Sequence, residues 1–167
     1  IPQLDPGRAE GLEFWITNQI REIRDKADDI KHKVGIVTNK DELKLSDNNL
    51  IPRRGQQGSP SIQQILTQAF PFYTLEDVDL KDGDEPIKDE LDGLIITQPR
   101  KDYSDKELRR IDEFVMKGNK SLVVIASAVT LKPQDPQMDA QLSTHNLDKL
   151  LAGYGVNMKK NAVMDFG

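Results

Sequence analysis

Apolar residues at Leu12, Trp15, Ile16, Ile20, Ile23, Ala27 and Ile30 recur at intervals of three and four. That is the period of one helix face. Asp5 is placed to cap this helix and Pro6 to stand in its first turn. Glu10 and Glu13 near the start, with Arg21 and Arg24 later, suit the helix dipole. A stripe of this kind ordinarily faces a core. The helix is therefore expected to cover one face of a sheet; a stalk or packing arm is the alternative.

The pattern then alternates between strand and helix signals. Lys33 to Thr38 (KVGIVT) is a short run rich in β-branched residues, the first strand. Residues 39–59 carry no period and read as a long loop, a type that more often has a function than short ones do. Pro60 opens a helix with Ile62, Ile65, Leu66 and Ala69 on one side, and Phe70-Pro71 ends it. Tyr73 to Leu80 is a second strand, followed by an acidic turn over 81–90 with room for one helical turn. Leu91 to Thr97 is a third strand, apolar through its centre as in strands buried on both faces. Ser104-Asp105-Lys106-Glu107 is a capping box ahead of a stripe of Leu108, Ile111, Phe114 and Val115. Gly118 stands where the helix should end in a left-handed residue. Leu122 to Ala126 is the fourth strand, residues 128–143 are a second long loop with Pro133 and Pro136, and His145 to Ala152 is a short helix closed by Gly153 or Gly155. Ala162 to Met164 begins a fifth strand.

Strands that alternate with helices predict a three-layer α/β/α sandwich on a mostly parallel sheet of about five strands. One link is tight. About ten residues join the second and third strands, where a parallel crossover usually takes a dozen or more. Either that crossover is a minimal loop or the second strand lies at an edge.

Composition narrows the function. The chain has 167 residues, one domain's length, with 37% hydrophobic and 31% charged residues. Its net charge of −5, from 23 basic and 28 acidic residues, argues against a nucleic-acid binder. With no cysteine there is no disulfide, thiol nucleophile or thiolate metal site. The longest apolar run, Leu122 to Val129, is far short of the roughly 18 residues that span a bilayer. The start, IPQLDPGRAE, has neither the basic nor the apolar region of a signal peptide. It also lacks Met, and the chain stops just after a strand-like segment, so it is expected to be part of something longer.

In α/β folds ligands bind at the carboxyl ends of the strands. The candidate binding residues are accordingly Thr38, Asn39, Arg53, Arg54, Gln98, Arg100, Tyr103 and Ser127. No glycine follows the first strand before Gly55, which disfavours a phosphate cradle there. The first and third strands end in Thr38 and Thr97, so the acidic pocket of a phospho-acceptor receiver is missing. Ser127 lacks the flanking glycines of a nucleophile elbow and reads as a strand-end serine bonded to backbone. His32 and His145 belong to opposite edges of the sheet, too far apart to share a metal, and His145 reads as part of a helix cap. Arg53, Arg54, Gly55 and Gly58 could hold an anion at the start of the Pro60 helix. The acidic run Glu76, Asp77, Asp79, Asp82, Asp84 and Glu85 does not match the EF-hand spacing and reads as a solvated turn. Asp102 and Asp105 are the first carboxylate pair to consider for a hydrolase. No catalytic residue, metal ligand or cofactor is assigned.

Several blocks are more specific. Leu91-Asp92-Gly93-Leu94-Ile95-Ile96-Thr97-Gln98-Pro99 runs into Ser104-Asp105-Lys106-Glu107-Leu108-Arg109-Arg110-Ile111-Asp112-Glu113-Phe114-Val115-Met116-Lys117-Gly118. Lys120 to Val124 follows, then Asn146-Leu147-Asp148-Lys149-Leu150-Leu151-Ala152-Gly153-Tyr154-Gly155-Val156, and Val163-Met164-Asp165. This resembles the auxiliary domain of ABC-type transport systems associated with gliding motility, the GldG-like family. The likeness covers residues 31–167 and leaves 1–30 as an N-terminal helix or linker. Asn119 stands where the family pattern has a second glycine, a place Asn tolerates.

The resemblance implies a flavodoxin-like or class I glutamine amidotransferase-like fold, related to a domain of an intraflagellar-transport subunit. It implies an extracytoplasmic, periplasmic-side module of a membrane-tethered protein whose partners are the permease and ATPase subunits of the same system. A small-molecule or peptide substrate is a further candidate partner. The family brings no established catalytic residues, so the expected role is non-enzymatic binding through loops 39–59, 98–103 and 128–144. A hydrolase or degenerate enzyme of amidotransferase-like ancestry, and a module that oligomerises through the N-terminal helix, are the alternatives.

Overall fold

The computed structural model describes residues 12–42, 44–47, 61–131 and 140–161. The expected helix cap at Asp5 and Pro6, the Arg53–Arg54 anion site and the fifth strand at Ala162–Met164 lie outside the described residues. The elements are α1 (Leu12–Ala27), β1 (His32–Thr38), α2 (Ile62–Ala69), β2 (Tyr73–Asp79), a 3-10 turn (Lys81–Gly83), β3 (Gly93–Ile96), α3 (Asp105–Met116), β4 (Ser121–Val124), β5 (Val129–Leu131), β6 (Ala140–Leu142) and α4 (Leu147–Gly153). Among these, no helix is long and apolar enough to cross a membrane.

Four strands form a parallel sheet in the order β2-β1-β3-β4. The sheet and its helices make the expected α/β sandwich. The order also resolves the short link between the second and third strands: β2 is at an edge, and the chain steps over β1 to reach β3. Asp92 fixes that step at the amino end of the sheet. Its carboxylate accepts from Lys33 N at 2.9 Å, its own N–H donates to Lys33 O at 2.7 Å, and its carbonyl accepts from Ser121 N at 3.0 Å. The main departure lies in 128–143, expected as loop. There β5 and β6 pair antiparallel as a separate two-stranded sheet. Their three residues each are too few to show a period.

One sheet face carries the core. Gly35 and Val37 of β1, Val78 of β2, Leu94 and Ile96 of β3, and Leu122 and Val124 of β4 point to the side where Leu108, Ile111 and Phe114 of α3 and Leu147 and Leu150 of α4 are buried. Both expected caps of α3 are present. Ser104 Oγ accepts from Glu107 N and the Glu107 carboxylate accepts from Ser104 N, while Gly118 has φ +80° just past the helix end. Within the sheet the closest approach is at Gly35. A Cβ there would stand 2.5 Å from Val78 Cγ2 and 3.0 Å from Leu94 Cδ2.

The opposite face is covered differently. Leu45 and α2 lie against β2, with Leu45 N donating to Asp77 Oδ1 at 3.3 Å and Ile62 N to Asp47 O at 3.0 Å. At the amino half α1 presents its polar side. Asp25 is buried, bonded to Arg24 and facing His32 Nε2 at 3.4 Å, and the Arg21 guanidinium lies 5.7 Å from the Tyr73 ring centre. The apolar stripe of α1 points outward, with Trp15, Ile16, Ile20 and Ile23 between 43% and 69% exposed. The expectation that this stripe covers the sheet is therefore corrected. The period was right, but polar anchors at Arg21 and Asp25, on the other side of the helix, set which face turns inward.

Two measurements check this packing. Gly35→Ala should cost about 1–3 kcal/mol in urea unfolding, because its methyl group has no room. Gly153→Ala, where a Cβ meets nothing within 4 Å, should be neutral or slightly stabilising. The arginine beside Asp25 holds that carboxyl below its ordinary 3.8. A lowered folded value means the contribution is whole above 3.8 and fades as pH falls below it. Asp25→Asn should accordingly flatten the acid limb of the stability curve near and below pH 4.

Candidate functional site

The carboxyl ends of β1, β3 and β4 meet the segment before α4, and a polar network joins them. After β1 the chain turns through Asn39 and Asp41, both with positive φ, at 92° and 59°. This turn aims the Lys40 side chain inward, where its ammonium stands 2.9 Å from Glu107 Oε1. Glu107 is completely buried at the third position of α3. A buried carboxylate is costly unless paired. Here Lys40, the backbone N–H of Ser104 and the positive end of the α3 dipole share its charge. Glu42, also buried, takes a hydrogen bond from Lys40 N with one oxygen and from the Tyr103 hydroxyl with the other.

Tyr103 is 1% exposed. Burial, then its bond to Glu42, pushes its hydroxyl pKa far above the ordinary tyrosine range. Its backbone joins the third loop. Tyr103 N donates to His145 O at 3.1 Å, and Asn146 Nδ2 donates to Tyr103 O at 2.8 Å. Asp102 beside it holds His145 Nδ1 at 2.9 Å. His145 and Asn146 take positive φ in succession, 51° and 65°, conformations that non-glycine residues adopt only where the surroundings hold them. Asn146 is the residue before α4 yet makes no side-chain cap bond. The reading of His145 as a helix cap is therefore corrected: α4 starts at Leu147, and the imidazole is buried against Asp102.

The expected binding residues divide. Thr38 is buried at the end of β1, and Asn39 is exposed with its amide donating to Asp79 Oδ1 at 3.1 Å. Gln98 and Ser127 bind each other, Gln98 Nε2 to Ser127 O at 2.9 Å and Ser127 N to Gln98 Oε1. Ser127 Oγ accepts from Val129 N at 3.0 Å, the backbone role expected of it. Arg100 N donates to Lys40 O at 2.8 Å and its side chain is exposed. Tyr103 is a structural anchor rather than a surface contact. Thus Thr38, Asn39, Gln98, Arg100, Tyr103 and Ser127 do converge on one edge. Sequence reasoning missed Lys40, Glu42 and Glu107 as a network. The capping box at Ser104 and Glu107 was the one visible signal.

The other candidate chemistries resolve individually. Asp102 goes to His145 and Asp105 to Lys149 at 2.7 Å, so the two carboxylates have separate partners. In the acidic run, Glu76 binds Lys88, Asp77 binds Leu45 N, Asp79 binds Asn39 and Lys81 N, and Glu85 binds Lys81. His32 stands at the amino edge of β1 with Asp25, at the opposite end of that strand from His145's loop. Among the described residues no group of three or more histidines and carboxylates is arranged to hold a metal.

The remaining specific residues are staples. Leu147 and Leu150 are buried under α3, and Tyr154 OH donates to Asp112 Oδ1 at 2.7 Å, tying the end of α4 to α3. The Asp112 carboxylate in turn raises the Tyr154 pKa. Gly155 follows with φ +78°. Residues 31–167, which contain all these staples, match the family model described as an ABC-type uncharacterized transport system, auxiliary. The chain belongs to this family. No curated protein and no solved structure matches it. As an auxiliary domain of an ABC-type transport system, the chain is a component associated with transporter machinery.

Removing the Tyr103 hydroxyl leaves Glu42 buried with one oxygen unanswered. Tyr103→Phe should therefore cost roughly 1–3 kcal/mol in urea unfolding at pH 7. Because the folded pKa of Tyr103 is raised, its contribution is whole below the ordinary value of 10.0 and is lost as pH climbs above it. The stability of the parent protein should fall more steeply above pH 10 than that of Tyr103→Phe.

Proposed function

We propose that this auxiliary domain is a non-enzymatic binding module that engages another component of its transporter through the carboxyl edge of the sheet. One observation carries the reading. The buried network of Lys40, Glu42, Tyr103, Glu107 and Asn146 fixes three loops together and leaves Asn39, Asp41, Arg100, Lys101 and Asp102 exposed along one edge. Rigid loop tips on a packed scaffold suit recognition of a protein surface, because little ordering entropy is left to lose on binding. The first carboxylate pair considered for a hydrolase is divided between Lys149 and His145, which favours binding over catalysis. The partners of this reading are the permease and ATPase subunits of the same system, met on the extracytoplasmic side by a membrane-tethered chain. The gliding-motility type of such systems is the one its motifs most resemble.

The test is co-purification of the full-length protein with those subunits. The double change Arg100→Glu and Lys101→Glu reverses charge at the exposed edge without touching the buried network. Capture of the transporter subunits should fall at least tenfold, while the unfolding free energy moves by no more than about 0.5 kcal/mol. Capture that is unchanged by this pair overturns the edge as the binding surface.

A further inference from the structure

The described residues cover the sheet face opposite the core incompletely. Between α1 and this face runs a groove of about 480 Å³, floored by Val34, Leu75, Ile95 and Val123 and roofed by polar α1 residues such as Asn18 and Glu22. On β4, Val123 at the groove is 48% exposed and Ile125 beyond it 60%. Parallel sheets are normally buried on both faces. The same chain also carries the exposed stripe of Trp15, Ile16, Ile20 and Ile23. Its own sheet cannot take that stripe while Asp25 holds Arg24 and His32, and Arg21 holds Tyr73, because those anchors turn the opposite side of α1 inward.

We infer that the occupant of this face is a second copy of the chain, with the α1 stripe of each protomer laid across the β3–β4 face of the other. Two features favour a copy over an unrelated partner. A helix stripe and a sheet face, both apolar and both exposed among the described residues, are present in one molecule. A twofold exchange satisfies both at once, since a twofold interface presents the same patch on each subunit. The area also fits. The stripe, with Val123 and Ile125, exposes on the order of 600 Å² per copy, the lower end of what a standard interface buries on each partner. This surface is on a face of the sheet, whereas the proposed transporter contact is at its carboxyl edge, so the two do not compete.

Sedimentation equilibrium of the whole 167-residue chain tests the assignment. The parent protein should show dimer mass at micromolar concentration. Ile20→Lys with Ile23→Lys on the helix should give a monomer, and so should Val123→Lys with Ile125→Lys on the sheet. All four residues are exposed, so folding should survive, which circular dichroism checks. Mixing the helix variant with the sheet variant should restore a weaker dimer, because one of the two reciprocal contacts is rebuilt. Trp15, the chain's one tryptophan, should shift its emission to the blue as concentration rises. A parent protein that stays monomeric to about 100 μM overturns the inference; a Trp15 signal that is blue-shifted but independent of concentration would then assign the face to its own helix. Binding of the monomer to anionic vesicles would assign it to a lipid surface. A dimer that both variants leave intact also overturns it.

Discussion

The buried carboxylate of Glu107 is the constraint around which the carboxyl edge is organised. It stands inside the first turn of α3, where the backbone N–H of Ser104 and the helix dipole favour its charge. Those partners alone leave one oxygen facing the interior. Lys40 supplies the missing charge, which obliges the chain after β1 to turn inward through two left-handed residues. Once Lys40 is in place, its carbonyl accepts from Arg100 and its N–H reaches Glu42, and Glu42 in turn fixes Tyr103. The loops after β1 and β3 are thus one unit. Breaking such a pair by removing one partner costs far more than the pair contributes in net terms. The network is better understood as a device for specificity of loop position than as a source of stability.

The same logic separates what the sequence disclosed from what it hid. The parallel sheet, the capping box at Ser104 and the left-handed Gly118 follow from local patterns, and local patterns are visible in one dimension. The length of one link left two readings, a minimal crossover or an edge position for β2, and the strand order shows the edge. The network is not visible in this way, because Lys40 and Glu107 are 67 positions apart and each is an ordinary surface residue by type. Charged residues are assigned to solvent by default. Ser143 and Thr144 ahead of a helix make His145 resemble a cap; its partner Asp102 lies 43 positions away. The short pair β5 and β6 carried no period at all.

The stripe of α1 shows a different limit. Its period was plain and its helix is real, but amphipathicity specifies only that one side seeks an apolar surface. It does not say whose. Arg21 and Asp25 lie on the side that meets β1 and β2, and Asp25 is among the most buried charged groups described. A few directional polar bonds at one end of a helix can thus decide its rotation against a larger, non-directional apolar preference, provided that preference is met elsewhere.

Two ends and two faces of one small sheet therefore do different work. The core face, closed by α3 and α4, carries packing and capping devices: Leu147, Leu150 and the Tyr154–Asp112 clasp. These staples hold a shape, and recognition is then written on the surfaces that shape presents. In this chain those surfaces are of opposite chemistry, a polar edge held rigid by Glu107 and an apolar face left open by α1. A polar edge discriminates partners by matched charges and hydrogen bonds, and an apolar face contributes affinity with little discrimination. A module with both could join a specific, exchangeable contact at the edge to a firmer association on the face, so that the number of edges presented to a partner is set by the face. Two such edges bound to one assembly would raise avidity without any new contact. A single charge-reversed edge in a dimer would then weaken capture less than two.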